Sequence, residues 1–334
     1  MGRSDHCGAR NPVLRLWAAF VAGLALSYAC GPNEDTSTPA GGGIGGTARL
    51  RLGPIDVLVF APHPDDEVIG AGGVVQRALE TGKHVRIVFA TNGDGYPQAA
   101  SALLHKAIPL LRYADYLHLA AARQHEAMAA DHTLGVGASD LVFLGYPDGV
   151  LAGVNADTDS EPIQSPTTGR TMTYGPVEID YHTLAYGRPA PYTHAAMLAD
   201  VEELLRKSRP AQVYVTDSAD QHPDHKATYD LVRDAIAAIR FRGTFLTFVV
   251  HSGPGWPWPQ GPTPDSPFES RTIDGTTYPV GVAWPPSIRV PLTAAQSALK
   301  LQALEANHSQ MEFPIERLFL ESFVKSEEVF WTGR

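Results

Sequence analysis

Five short apolar runs, rich in β-branched and aromatic residues, recur along the chain: "VLVF" (57–60), "VRIVFA" (85–90), "LVFLG" (141–145), "VYVT" (213–216) and "FLTFVV" (245–250). Four of them lead into polar turns, and the segments between them are spaced as helices. In "DEVIGAGGVVQRALETG" (66–82) the apolar positions Val68, Ile69, Val74, Val75, Ala78 and Leu79 fall on one helical face, and Gly82 stops the helix. Residues 116–136, 194–210 and 225–240 read the same way. Short strands alternating with helices of 10–15 residues predict an α/β fold. The predicted architecture is Rossmann-like: a mostly parallel sheet flanked by helices, with irregular loop insertions over the C-terminal strand ends. Gly70, Gly72 and Gly73 are poor helix formers, so their presence in the first helix predicts close backbone packing against the sheet.

Other segments interrupt this rhythm. Residues 97–115 are an insertion with helical patches. Residues 151–193 read as a long polar loop, and 252–287 as Pro- and Trp-rich irregular loops reaching the late strands. Residues 292–311 are spaced as a helix, and 317–331 form a further helix or strand. Residues 49–334 are expected to make one domain. Ahead of them, Arg3, Arg10 and Arg15 precede an apolar stretch (16–29) ending in Ser27-Tyr28-Ala29, the pattern of an export signal over 1–29. Cys30 follows, then a Gly-rich tether to residue 48. The ending resembles a bacterial lipoprotein signal, although Leu26 and Tyr28 depart from that pattern. It implies an exported protein held at the periplasmic or cell surface by a lipid on Cys30, or else secreted. The net charge of −10, without a Lys/Arg cluster, argues against a nucleic-acid partner.

In an open parallel sheet, ligands bind beyond the carboxyl ends of the strands. Here those ends are "HPDDE" (63–67), "TNGD" (91–94), "YPDG" (146–149) and "DSADQHPDH" (217–225). They carry His63, Asp65, Asp66, Asp94, Asp148, Asp217, Asp220, His222, Asp224 and His225 to one edge, as the rim of a cleft. A single His-Pro-Asp reads equally well as a helix start, with Pro and a capping Asp in the first turn. Two such motifs, both after strands, point to a metal held by imidazole and carboxylate.

"APHPDDEVIGAGG" and "QHPDHKAT" resemble the two signature motifs of the PIG-L/LmbE-like N-deacetylases. "ARQHEAMAADHTLGV", which contains Arg-x-x-Glu, and the C-terminal "KLQALEANHSQ" are similar to further segments of that family. By motif position the resemblance implies zinc on His63, Asp66 and His225, with Asp65 as general base and His222 beside the reacting carbonyl as an oxyanion-stabilising imidazolium. Fe2+ or Co2+ would suit the same ligands. Asp224 is expected to orient His222, and Glu67 to be either a supporting residue or a first-turn dipole residue. Arg123 matches a sugar-contacting position of the family but also has Glu126 and Asp131 within helical reach. Asn92 and Asp94 are candidates for sugar hydroxyls, and Trp256, Trp258 and Trp284 for ring stacking. His308 is expected to pack. The implied activity is removal of an N-acetyl group from an N-acetylglucosamine-type sugar. A metal-dependent amidase or esterase on another substrate, and a non-catalytic glycan-binding lipoprotein, are the alternatives.

Overall fold

A computed structural model describes residues 52–157 and 161–333. The expected export signal and the whole of the tether lie outside these residues. Among the described residues no helix is long and apolar enough to cross a membrane.

The chain runs β1 (Val57–Ala61), α1 (Asp66–Glu80), β2 (Val85–Thr91), α2 (Pro97–Leu103), α3 (Tyr113–Leu134), β3 (Leu141–Tyr146), α4 (Leu151–Ala156), α5 (Tyr181–Tyr186), α6 (His194–Ser208), β4 (Gln212–Thr216), α7 (Pro223–Ile239) and β5 (Thr244–Phe248). A small hairpin, β6 (Arg271–Ile273) and β7 (Thr276–Tyr278), precedes β8 (Ile288–Pro291), α8 (Ala294–Glu305), α9 (His308–Met311), α10 (Pro314–Glu321) and β9 (Glu327–Thr332). The main sheet has seven strands in the order β3-β2-β1-β4-β5-β9-β8. The first five are parallel; β9 pairs antiparallel to β5, and β8 antiparallel to β9.

The buried strands read as continuous apolar runs because both faces are covered. Val57, Val59 and Ala61 of β1 enter one core, with residues of α1, α3 and α8. Leu58 and Phe60 point the opposite way, into a second core built with α4, α6 and α7. The helical glycines behave largely as expected. A Cβ on Gly70 would lie 2.2 Å from the Phe248 ring, and one on Gly73 2.5 Å from Leu292, whereas Gly72 has room. The segment 151–193 is not the open loop the sequence predicts. It holds α4 and α5 and buries Leu151, Val154, Tyr174 and Tyr181. Its helices have six residues each, too short for a helical period to show. The C-terminal stretch is both predicted alternatives in turn, α10 and then β9.

α1 is held by an ion pair set into its backbone. Lys300 and Glu328 are fully buried and 2.7 Å apart. Glu328 accepts from Gly73 N at 2.7 Å and Val74 N at 2.8 Å, and Lys300 Nζ donates to Ile69 O at 2.8 Å. Ile69 O is the i−4 carbonyl of Gly73, so the pair stands within one step of the helix ladder. Lys300→Met would leave Glu328 buried without its cation. It is expected to cost about 3–5 kcal/mol, read as a lower urea midpoint at constant m.

Candidate active site at the switch point of the sheet

The strand order reverses direction between β1 and β4, and ligands of such sheets bind in the crevice at that reversal. "HPDDE" follows β1 and "HPDH" follows β4, so the two motifs meet there across neighbouring strands. His63 Nδ1 lies 3.2 Å from Asp66 Oδ2 and 3.3 Å from His225 Nε2, and Asp66 Oδ2 lies 3.2 Å from His225 Nε2. Tetrahedral zinc with bonds of roughly 2.0–2.1 Å separates its ligand atoms by about 3.3 Å. The three donors therefore fit one face of such a tetrahedron. His222 stands over it, its ring centroid 4.9 Å from those of both His63 and His225.

His63 and His225 each have their other nitrogen close to a carboxylate, an arrangement that orients imidazoles in metal sites. His63 Nε2 is 3.1 Å from Asp148 Oδ1 and 3.4 Å from Asp224 Oδ2; His225 Nδ1 is 3.2 Å from Asp220 Oδ2. Asp220 also accepts from His222 N, Val250 N and His251 N, and so ties the β4 and β5 ends together. Asp148 and Asp220 were legible only as strand-end acids, and His251 not at all. Their roles depend on contacts across strands, which no local motif encodes.

The charge is not a rim, as the sequence suggested. Asp66 is 2% exposed, and Asp220, Asp224 and His225 are fully buried beneath the cleft floor. Burial lowers the His63 and His225 pKa values, but the surrounding carboxylates outweigh it. His63 is raised well above the ordinary value and His225 to about 9. Asp66, despite burial, is held well below the carboxylate range by His225 and His63. Without metal, both imidazoles are thus charged in the fold at neutral pH and neutral in the unfolded chain above about 6.5. The unfolded state then binds fewer protons, so stability of the metal-free protein falls as pH rises. Chelated protein is expected to lose melting temperature between about pH 6.5 and the raised His225 value of about 9. Metal-loaded protein, whose ligands are neutral imidazoles, should not show the His225 part of this loss.

Asp65 is the N-cap residue of α1, with φ 108°, a backbone that non-glycine residues rarely adopt. Two side chains hold it there. Glu67 Oε2 accepts from Asp65 N at 3.0 Å, and Arg123 Nη2 donates to Asp65 Oδ2 at 3.0 Å and to Pro64 O at 2.5 Å. Burial pushes the Asp65 carboxyl up to about 7, against the pull of Arg123. Glu67 is fully buried and supports Asp65 rather than serving a solvent-facing first turn.

Several expectations need correction. Arg123 grips Asp65 and Gly93 O, not Glu126 or Asp131, and it also lines the cleft. Glu126 instead accepts from Ser309 N and Oγ, which joins the two supportive motifs and sets Gln310 in the cleft wall. Asn92 spends both amide ends on protein, donating to Tyr174 O and accepting from Gln124 Nε2. Asp94 is fully buried away from the cleft lining, its carboxyl raised to about 7 by burial and by Asp148. Asp224 does not orient His222 through its side chain. Its carboxylate reaches His63 Nε2 and accepts from Gly149 N and Leu151 N, because the first turn of α7 aims it at the β3 end.

His222 is the N-cap of α7, and its Nδ1 accepts from Asp224 N at 3.3 Å. Burial and the neighbouring imidazoles hold its pKa well below the ordinary histidine value, so it is neutral rather than an imidazolium. With Nδ1 accepting, its proton sits on Nε2. Trp258 is core, and Trp284 packs on Trp258 and Trp331; only Trp256 of the three lines the cleft. His308 is exposed, so it neither packs nor faces the site.

The cleft encloses about 240 Å³ above these groups, walled by Tyr96, Gln310, Glu316, Phe319 and Trp256. A doubly wound α/β sheet that brings two imidazoles and a carboxylate together at its switch point, beside a second, poised carboxylate, defines a site suited to hydrolysis. The chain belongs to the PIG-L family, whose model, described as GlcNAc-PI de-N-acetylase, matches residues 58–236. It is 31% identical over 180 residues to a 1D-myo-inositol 2-acetamido-2-deoxy-alpha-D-glucopyranoside deacetylase of Kineococcus radiotolerans, covering 53% of this chain and 43% of that one. The match thus spans less than half of that relative. Among solved structures, the chain resembles N,N'-diacetylchitobiose deacetylase from Pyrococcus horikoshii (20% identity, 82% of each chain, TM-score 0.47). It also resembles a conserved protein of Thermus thermophilus (19% identity, 84% of this chain and 95% of that one, TM-score 0.46).

Proposed function

We propose that this protein is a metal-dependent hydrolase that removes the N-acetyl group from an N-acetylglucosamine-type sugar in a glycan, glycolipid or glycoconjugate. His63, Asp66 and His225 would hold the cation, zinc by preference and Fe2+ or Co2+ as alternatives. When bound, the cation supplies Lewis acidity at the acyl carbonyl and acidifies a water. The chain's own residues do the rest. Asp65, whose carboxyl burial pushes upward, takes the proton of the attacking water and returns it to the departing amine. His222 donates from Nε2 to the oxygen that gains negative charge. Arg123 and Glu67 keep Asp65 in its strained turn. The observation that carries this reading is the placement of Asp65 one residue before the ligand-capable Asp66 and against Arg123, within a PIG-L family chain.

The test is a paired screen of N-acetylated and O-acetylated glycosides with zinc-loaded protein. Equimolar acetate and free amine from the N-acetyl series support the proposal. Hydrolysis confined to the O-acetyl series would replace it with an esterase, and tight glycan binding without any turnover would replace it with a lectin. Because His222 is neutral, it should supply no basic limb. His222→Gln is expected to lower kcat by about 10²–10³ with the alkaline side of the rate profile unmoved.

We further propose export, with acylation at Cys30. Membrane retention of Cys30→Ala in cell fractionation, unchanged from the parent, would remove the anchor.

A further inference from the structure

The cleft wall carries one acidic side chain that the mechanism above does not use. Glu316 is the third residue of α10, whose N-cap is Phe313. An acid at that position commonly reaches back to the N-cap backbone N–H. Among the described residues Glu316 does not. Its carboxylate accepts instead from the hydroxyl of Tyr96, the N-cap residue of α2. Both side chains are half-buried and line the cleft. Burial and Glu316 push the Tyr96 phenol upward, so it stays a neutral donor and leaves the charge of Glu316 unbalanced.

The other acids of the lining have cationic or imidazole partners. Asp65 pairs with Arg123, Asp66 with His63 and His225, and Asp148 with His63. Arg123 is the one Lys or Arg side chain in the lining, and it lies 4% exposed against Asp65. Arg317, next to Glu316 in sequence, turns to Glu321 and Met311 O. Among the described residues Glu316 has no ion pair, and Tyr96 is its hydrogen-bond donor. With a divalent cation on His63, Asp66 and His225, the ligand imidazoles are neutral. Asp65 and Asp66 then offset the cation, and Asp148 offsets Arg123. Glu316 is the charge left over, and it stands on the wall that a substrate must pass.

We infer that Glu316 is a specificity-determining residue, which selects substrates with an ammonium group beside the acetylated ring and rejects those with an anion there. This inference rests on the deacetylase reading above and names the charge class of its substrate. A ligand that fills the cleft strips water from Glu316 and leaves the carboxylate with a single neutral donor. A charge desolvated without a partner is costly. An ammonium group supplies both the missing charge and further donors. A sulfonate, phosphate or carboxylate in the same place adds like-charge repulsion, which cleft walls of low dielectric strengthen.

The experiment compares three glycosides of N-acetylglucosamine on the zinc-loaded full chain: ethyl, 2-aminoethyl and 2-sulfoethyl. They match in length and differ in charge, and a sulfonate is a poor metal ligand. Acetate release and binding are both measured. The aminoethyl glycoside should exceed the ethyl one by about tenfold in kcat/KM and in affinity, and the sulfoethyl glycoside should fall below it by a similar factor. Glu316→Gln keeps an acceptor for Tyr96 and should bring the three together. Glu316→Lys should reverse their order. Equal performance of the three on native protein, or preference for the sulfonate, overturns the inference. An order that survives both variants belongs to the net charge of −10 and removes Glu316 as the selector. Charge-ordered binding without acetate release overturns the deacetylase reading and leaves Glu316 as the selector.

Discussion

Asp65→Asn is expected to lower kcat by a factor of about 10²–10⁴ while metal content stays at one ion per chain. The substitution is close to isosteric, and Asn is among the few residues that tolerate positive φ, so the turn at 108° is not newly strained. Arg123 keeps Pro64 O and Gly93 O as acceptors and can still donate to the amide oxygen. What is lost is a group able to accept a proton near neutral pH. The acidic limb of the native rate profile should therefore flatten in the variant. A nearby cation opposes protonation of Asp65, so the native limb should fall below the value of about 7 set by burial. Near-native turnover in Asp65→Asn, with metal content confirmed by elemental analysis, would remove Asp65 as the base.

The second large effect concerns His225. His225→Ala should abolish stoichiometric metal binding and, with it, turnover. It also removes the imidazole between Asp66 and Asp220, 3.2 Å from each, which leaves Asp66 with His63 and Asp220 with His251 and backbone N–H groups as their remaining partners. The metal-free variant should therefore be less stable than chelated parent by about 3–5 kcal/mol. His225→Gln keeps a donor in the space and should lose metal with a smaller loss of stability. Chelated parent protein is the right reference for both, since the metal's own contribution is then absent from each side. Elemental analysis and urea unfolding of the two variants decide the matter. Stoichiometric metal in either would mean that the cation sits elsewhere, for example on His63, Asp148 and Asp224.

Much of this was legible in the sequence, and the reasons are physical. β1 and α1 showed because a short continuous apolar run and the 3.6-residue period of a helix are local signals, and "HPDDE" lies at the junction between them. The pairing of His63 with His225 was foreseeable because both motifs follow strands of one parallel sheet. The adjacency of β1 and β4 was not, since strand order is set by long-range pairing. The supporting residues were harder still. Asp148 holds His63 from the end of β3, and Asp220 holds His225 and His251 from a turn, yet each looks like an ordinary loop acid in its own segment. The reach of Asp224 misled because the sequence places it beside His222, whereas the first turn of α7 points it beneath the cleft floor toward the β3 end. Lys300 opens the C-terminal segment that resembles the family, and Glu328 carries no signal of its own. Their burial followed only from α8 and β9 closing over α1. Trp256 could not be told from Trp258 and Trp284, because the backbone of 253–259 decides which ring faces the cleft.

The most direct measurement is release of acetate and free amine from a panel of N-acetylglucosaminides by the full chain, before chelation, after it, and after zinc is restored. The expected result is equimolar acetate and amine, lost on chelation and recovered in proportion to zinc up to one ion per chain. Release that is indifferent to metal depletion, or no free amine at any metal loading, would contradict it.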